Sequence, residues 1–285
     1  MPLFDIAGFT IEVSGEENEF FNKRFADYKS TSGSAPMLKV EFEKEGFLPS
    51  GELLTVADGF RQYFRQPDGL GIYDLLKAPD TYCASLWFDE DVKRAKASLT
   101  DISVYGGMSN EIRAFNMLGE LFRYFILKHN GVVLHSSCIK YKNSGIAFSA
   151  PSGTGKSTHT GLWKKCFPED VTVLNDDSPA IRLDGFVPGL YGTPWSGKTD
   201  INANEGASLE AIVILEQFPE NKIAKLSKDE ALFRILQEVT RPVFPEFMEL
   251  TLSAVEKIIM QTPVYLLKCN ISDEAVLTVK NELGL

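Results

Sequence analysis

Gly145-Ile146-Ala147-Phe148-Ser149-Ala150-Pro151-Ser152-Gly153-Thr154-Gly155-Lys156-Ser157-Thr158 decides the fold. A short apolar run turns through small residues and ends in Gly-Lys-Ser at the head of a segment that reads as helix. Strand, glycine-rich turn and helix N-terminus form the setting of a phosphate-binding loop. The backbone N–H groups of such a turn converge into an anion-binding nest. The helix N-terminus adds unsatisfied donors and partial positive charge. Pro151, Ser152, Gly153, Thr154, Gly155, Lys156, Ser157 and Thr158 then make the nucleotide cradle. Lys156 reaches the β- and γ-phosphates, and the Ser157 hydroxyl is placed to ligate Mg²⁺. The full pattern has Gly where Ala150 stands; Gly153-x-Gly155-Lys156-Ser157 is intact. A mere Gly/Ser-rich hairpin turn with a solvated lysine would not need the strand and the helix on its two sides.

Downstream of the loop, Thr158 to Phe167 reads as a helix that Pro168 ends. Val171 to Leu174 reads as a short apolar strand running into Asn175-Asp176-Asp177. An apolar strand ending in acid, close after a phosphate loop, is the usual source of a second Mg²⁺ contact, which pairs Asp176 with Ser157 as metal ligands. Adjacent acids at a strand end project differently, so one can serve the metal while the other meets a substrate hydroxyl. The competing reading is an Asp-Asp-Ser-Pro turn that only caps the strand. Upstream, Gly131 to His135 reads as a strand running on to Cys138–Tyr141, and residues 142–145 as a turn. Leu190 to Asp200 is a Gly/Pro-containing loop: either a lid carrying Lys198 to phosphate, or a packed Ω-like loop. Ala211–Leu215 reads as a buried strand, Ser227 with Glu230 as a capping box, Phe247 to Ile259 as an amphipathic helix, Pro263–Cys269 as a last strand and Asp273–Leu283 as a last helix.

The first part of the chain reads as strand-rich. Phe9–Val13, Met37–Phe42, Phe60–Phe64, Leu70–Asp74, Thr81–Phe88 and Arg94–Ile102 suggest an antiparallel sheet. Phe20–Tyr28 reads as a short helix or irregular. Gln66-Pro67-Asp68-Gly69 reads as a turn, with Pro setting φ and Gly supplying positive φ. A helix capped by Ser109 follows, with Ile112, Phe115, Leu118, Phe122, Phe125 and His129 on one face; Asn130-Gly131 ends it. The aromatic stripe reads as core, and no catalytic constellation stands in this half. The expected organisation is therefore α/β: an N-terminal β-rich (α+β) domain over residues 1–128 and a P-loop domain with a mixed sheet over 129–285.

The chain has 285 residues, 44% hydrophobic and 24% charged, with a net charge of −10. That balance speaks against a general nucleic-acid surface, which needs basic patches; a nucleotide site needs only a few local cations. Four scattered cysteines and three histidines make no C-x-x-C pair, so a structural zinc site is not expected. Free thiols fit a reducing, cytoplasmic setting. Acidic residues early in the chain and the lack of a basic, then apolar leader speak against a signal peptide, and no apolar run nears the ~20 residues of a membrane span.

Together the loop, the upstream histidine and the acid pair resemble the kinase domain of HPr kinase/phosphorylase, whose loop architecture is shared with ATP-dependent phosphoenolpyruvate carboxykinase. The resemblance covers roughly Gly131 to the C-terminus, and its motifs lie between Leu134 and Asp177. It implies an HPr-kinase-like fold, ATP and Mg²⁺ as cofactors, and Lys156 and Ser157 as nucleotide and metal residues. Asn175-Asp176-Asp177 is similar to the family's Ala-Asp-Asp, which implies Asp177 as proton acceptor for the phosphorylated hydroxyl. The spacing from His135 to Lys156 is similar to the family's, and the resemblance implies His135 as a general acid/base or phosphate contact. The chain departs from the family at Ala150, at Thr158 where the family has Glu, and in lacking the later Glu-Val-Arg-Gly signature. The expectation is thus a related kinase acting on another hydroxyl, on a protein, a peptide or a small molecule, and a homo-oligomer as in the family. The alternatives are a phosphoenolpyruvate carboxykinase-like lyase, for which arginine is sparse after the loop, and a non-catalytic ATP-sensing module.

Overall fold

The computed structural model describes residues 1–15, 18–75, 81–100, 108–183 and 185–285, in two compact units, Met1–Lys128 and His129–Leu285. The first contains β1 (Leu3–Ile6), β2 (Phe9–Ser14), α1 (Glu19–Arg24), a 3-10 turn (Ala26–Tyr28), β3 (Leu38–Glu43), β4 (Glu52–Ala57), β5 (Arg61–Gln66), β6 (Gly69–Leu75), β7 (Tyr82–Phe88), β8 (Arg94–Leu99) and α2 (Asn110–Lys128). The strands form one sheet in the order β1-β2-β3-β8-β7-β6-β5-β4. It is mixed, not antiparallel throughout: β2–β3 and β3–β8 run parallel. Parallel neighbours need a long crossover, and α1 with the 3-10 turn occupies the connection between β2 and β3. Sequence reading passed over β4, an edge strand that leaves Leu53 and Val56 exposed. Asp101 and Ile102, included in the last strand expected here, lie outside the described residues.

One correction of mechanism belongs to this unit. Gly69 is not left-handed; a Cβ there would stand 2.3 Å from the Phe88 carbonyl oxygen, so close approach to β7 is what requires glycine. The aromatic face of α2 is core, with Phe115, Leu118, Phe122 and Phe125 buried. Buried Arg113 fastens the start of that helix to the sheet by donating to the Cys83 carbonyl (2.6 Å) and the Thr100 carbonyl (3.2 Å).

The second unit contains β9 (Gly131–Val133), β10 (Ser136–Tyr141), β11 (Ser144–Ser149), α3 (Lys156–Cys166), β12 (Val171–Asn175), β13 (Ala180–Arg182), β14 (Gly189–Tyr191), β15 (Gly206–Gln217), β16 (Lys222–Lys225), α4 (Lys228–Glu238), α5 (Pro245–Gln261), β17 (Val264–Cys269) and α6 (Asp273–Leu283). The strand expected over Gly131–Tyr141 is interrupted at Leu134-His135, and the strand after α3 is matched to it. Val133 pairs with Ala180 and Cys138 with Asn175. Between them the Leu134 amide donates to the Pro179 carbonyl (3.1 Å) and the Ser136 amide to the Asp177 carbonyl (3.0 Å). One antiparallel register therefore runs through the break. On its other edge β10 pairs with β11, β11 runs parallel to β15, and β15 pairs with β14 near its start and β17 toward its end.

The continuous apolar run of β11 follows from burial on both faces. Ile146 and Phe148 join Ile139, Tyr141, Val213 and Leu215 in a core that Trp163 of α3 and Val276 of α6 complete. Ala150, where the loop pattern has Gly, sits in this core as well. Trp163 is fully buried, with its ring centroid 5.5 Å from that of Tyr141 and 5.9 Å from that of Phe167. Trp163→Ala should destabilise the protein by about 3–5 kcal/mol; urea unfolding followed by circular dichroism measures this.

Candidate functional site

The loop expected from sequence lies between β11 and α3. Gly153 and Gly155 hold φ of +82° and +116°, and a Cβ at either would meet nothing within 4 Å. Glycine is thus required there by backbone conformation, not by crowding. Pro151, Ser152, Gly153, Ser157 and Thr158 are exposed, so the concave side of the turn is open. Lys156 is the first residue of α3 and is buried. Its Nζ turns back across the loop to donate to the Ala150 carbonyl (2.8 Å) and stands 3.0 Å from His135 Nε2.

His135 occupies the break in the β9–β10 segment, where its amide donates to the Glu238 carbonyl. Its Nδ1 is 2.7 Å from Glu238 Oε2, and its Nε2 is 3.8 Å from Asp177 Oδ1. A lysine ammonium only donates, so Nε2 accepts from Lys156 and the ring proton stands on Nδ1, donated to Glu238. Burial lowers the Lys156 pKa, and the negative charges of Glu238, Asp177 and Asp176 oppose that shift.

The two expected acids separate as alternating side chains should. Asp176 is buried and tied down: Oδ1 accepts from Ser137 Oγ (2.7 Å) and Oδ2 from Thr199 Oγ1 (2.8 Å). Ser137 Oγ also stands 2.8 Å from Thr160 Oγ1 on α3, which links the acid to the helix after the loop. Asp177 is half-exposed, and its Oδ2 accepts from Ser178 Oγ (2.8 Å). Asn175 sets the bend that carries both. Its Oδ1 accepts the amides of Asp177 (2.8 Å) and Ser178 (2.7 Å), and its Nδ2 donates to the Thr193 carbonyl (2.8 Å).

The loop expected over residues 190–200 combines both readings. Thr193 to Ser196 are buried, whereas Gly197 to Asp200, with Lys198, are exposed. Gly197 is left-handed (φ +67°), and a Cβ there would come 3.0 Å from that of Asp177. Of the expected residues, Lys156, His135 and Asp177 converge. Asp176 lies beside them on Ser137, and Ser157 stands exposed at the first turn of α3. Sequence reasoning missed Glu238, Ser137, Thr199 and the anchoring by Asn175. Asn175 carried a signal, an Asx residue two before the acid; Glu238, at the end of a helix far along the chain, carried none.

Two clefts flank the loop. One of about 640 Å³ is lined by Gly153 to Gly155, Thr158, the end of β15 and residues 269–271. Another of about 580 Å³ is lined by Pro151 to Thr154 and Arg234, whose guanidinium is 2.7 Å from Glu216. Among the described residues, no three His, Cys, Asp or Glu side chains form a metal-binding group, and no helix is long and apolar enough to cross a membrane.

No protein-family model matches the chain, and no curated protein does. Among solved structures it is similar to the Hpr(Ser) kinase/phosphatase from Coxiella burnetii, at 11% identity and a TM-score of 0.30, over 53% of this chain and 95% of that one. At that distance residue roles do not carry across.

His159, one turn into α3, is the other ionisable group packed under the loop. Trp163 Nε1 donates to its Nε2 (3.2 Å), and Phe148 lies against the ring. Burial pushes its pKa down to about 4. Since the folded value lies below the unfolded value of about 6.5, this contribution is complete above pH 6.5 and is lost as pH falls toward 4. Between pH 7 and pH 5 the native protein should lose about 2 kcal/mol through this group. His159→Gln should show a correspondingly flatter dependence, read from urea unfolding at the two pH values.

Proposed function

We propose that the second unit is an ATP- and Mg²⁺-dependent phosphotransferase that moves the γ-phosphoryl group to a hydroxyl. The observation that carries this reading is the convergence of Lys156, His135 and Asp177 at the mouth of an open glycine loop. The left-handed glycines and the exposed residues 151–153 suit a polyphosphate wrapped by main-chain donors. The donor set of one serine hydroxyl and one carboxylate, Ser157 and Asp176, suits Mg²⁺, which keeps waters and phosphate oxygens in its remaining positions. Bound there, the ion would neutralise charge on the phosphates.

Lys156 supplies positive charge where the transferred group gathers negative charge. Asp177 faces solvent and is free to meet an acceptor. It takes the hydroxyl proton as the acceptor oxygen bonds to phosphorus, and the bond to the β,γ-bridging oxygen breaks with its electron pair leaving on ADP. His135, locked by Glu238 with Nε2 toward Lys156 and Asp177, orients both. The acceptor is a protein or peptide serine or a small alcohol.

Lys156→Ala should abolish ATP turnover; full retained activity would sink the assignment. Asp177→Asn should retain ATP binding by calorimetry yet lose transfer, whereas equal loss of binding and rate would make Asp177 a metal ligand instead. Glu238→Gln should lower kcat by about tenfold or more, because it removes the negative charge that holds the His135 ring and faces buried Lys156; an unchanged kcat would remove Glu238 from the mechanism. ATP bound by the native chain but never consumed across candidate acceptors would favour a sensor.

A further inference from the structure

The 640 Å³ cleft beside the loop has the size of a small-ligand site and shares Gly153, Thr154, Gly155 and Thr158 with the phosphate cradle. A ligand whose phosphates lie on the loop can reach this cleft with its other end. The far rim is formed by Phe218, after β15, and Ile271, after β17. Both are large apolar side chains left exposed, at 41% and 79%. Phe218 is braced from the sheet, with the ammonium groups of Lys268 and Lys222 5.5 and 6.0 Å from its ring centroid. Leu162 and Leu215 add further apolar lining.

Several polar side chains of the cleft are engaged with the protein, whereas the buried Nδ1 of His159 has no partner. His159 accepts from Trp163, Glu216 pairs with Arg234, and Gln217 Nε2 donates to the Thr154 carbonyl (3.0 Å). Asn270 donates to the Pro219 carbonyl (2.7 Å) and accepts from Ser272 Oγ (2.6 Å). Apolar surface beside a phosphate cradle, with both side-chain amides held to backbone carbonyls, matches a flat ring held by stacking better than one read by a full hydrogen-bond code.

Resting on the phosphate role given to the loop above, we propose that this cleft seats the purine of a nucleoside triphosphate against Phe218 and Ile271, with little discrimination between adenine and guanine. The full chain is titrated by calorimetry with ATP, GTP and inorganic tripolyphosphate, each with Mg²⁺, and compared with the Phe218→Ala/Ile271→Ala variant. ATP and GTP should bind within about tenfold of each other, and the variant should weaken both by about tenfold while leaving tripolyphosphate unchanged. Both side chains are exposed, so a thermal melt like that of the native chain is expected of the variant. Equal weakening of all three ligands, or of none, would overturn the purine seat. A preference for one purine above a hundredfold would overturn recognition by stacking. A native chain that binds neither tripolyphosphate nor ATP would instead overturn the phosphate role of the loop, and the purine seat with it.

Discussion

The Ser136 amide donates to the Asp177 carbonyl, and this ladder bond sets the site. It carries the antiparallel register of residues 131–138 and 175–182 across a stretch where neither segment is regular strand. Because side chains alternate across a ladder, that register puts Ser137 beside Asp176 and brings Asp177 to His135. A slip of one residue would move each side chain to the other face. Asn175 reinforces the bend from one side and Glu238 holds the histidine from the other. The position of the acids relative to the loop is thus a property of the sheet and not of a free loop.

Electrostatics supplies the second constraint. Lys156 is a cation placed where burial disfavours its charge, and three carboxylates, one histidine nitrogen and one carbonyl stand around it. Removing a partner from such a cluster leaves charge uncompensated, which costs more than the pair contributes while intact.

Much of this was legible in residue order. Apolar run, small turn and Gly-Lys-Ser announced strand, loop and helix, since each element obeys a local rule, and the capping box at Ser227 and Glu230 formed as read. What escaped depends on partners distant along the chain. The parallel β2–β3 and β3–β8 pairings, the three-residue strands β13 and β14, and edge strand β4 leave little periodicity to detect. Glu238 was invisible because nothing near it marks a helix end that will meet a histidine about a hundred residues earlier. Gly69 was placed in the right turn for the wrong reason: its neighbour is the β7 carbonyl, and contact across a sheet is not written in a tetrapeptide. Ala150 reads as a defect in a motif, yet in space it is a methyl group belonging to the core.

β15 has a consequence for how the chain assembles. Its first residues pair with β14, a short step back along the sequence, whereas Phe148 of β11 and Tyr265 of β17 meet at Val213 from far away in opposite directions. Closing large loops costs chain entropy before the contacts they make are gained, and parallel pairing between remote segments slows folding. The β13–β14–β15 meander can form from neighbours alone, but the strand ends that frame the glycine loop wait for both long closures. The frame of the glycine loop therefore depends on non-local closures that the β13–β14–β15 meander does not need.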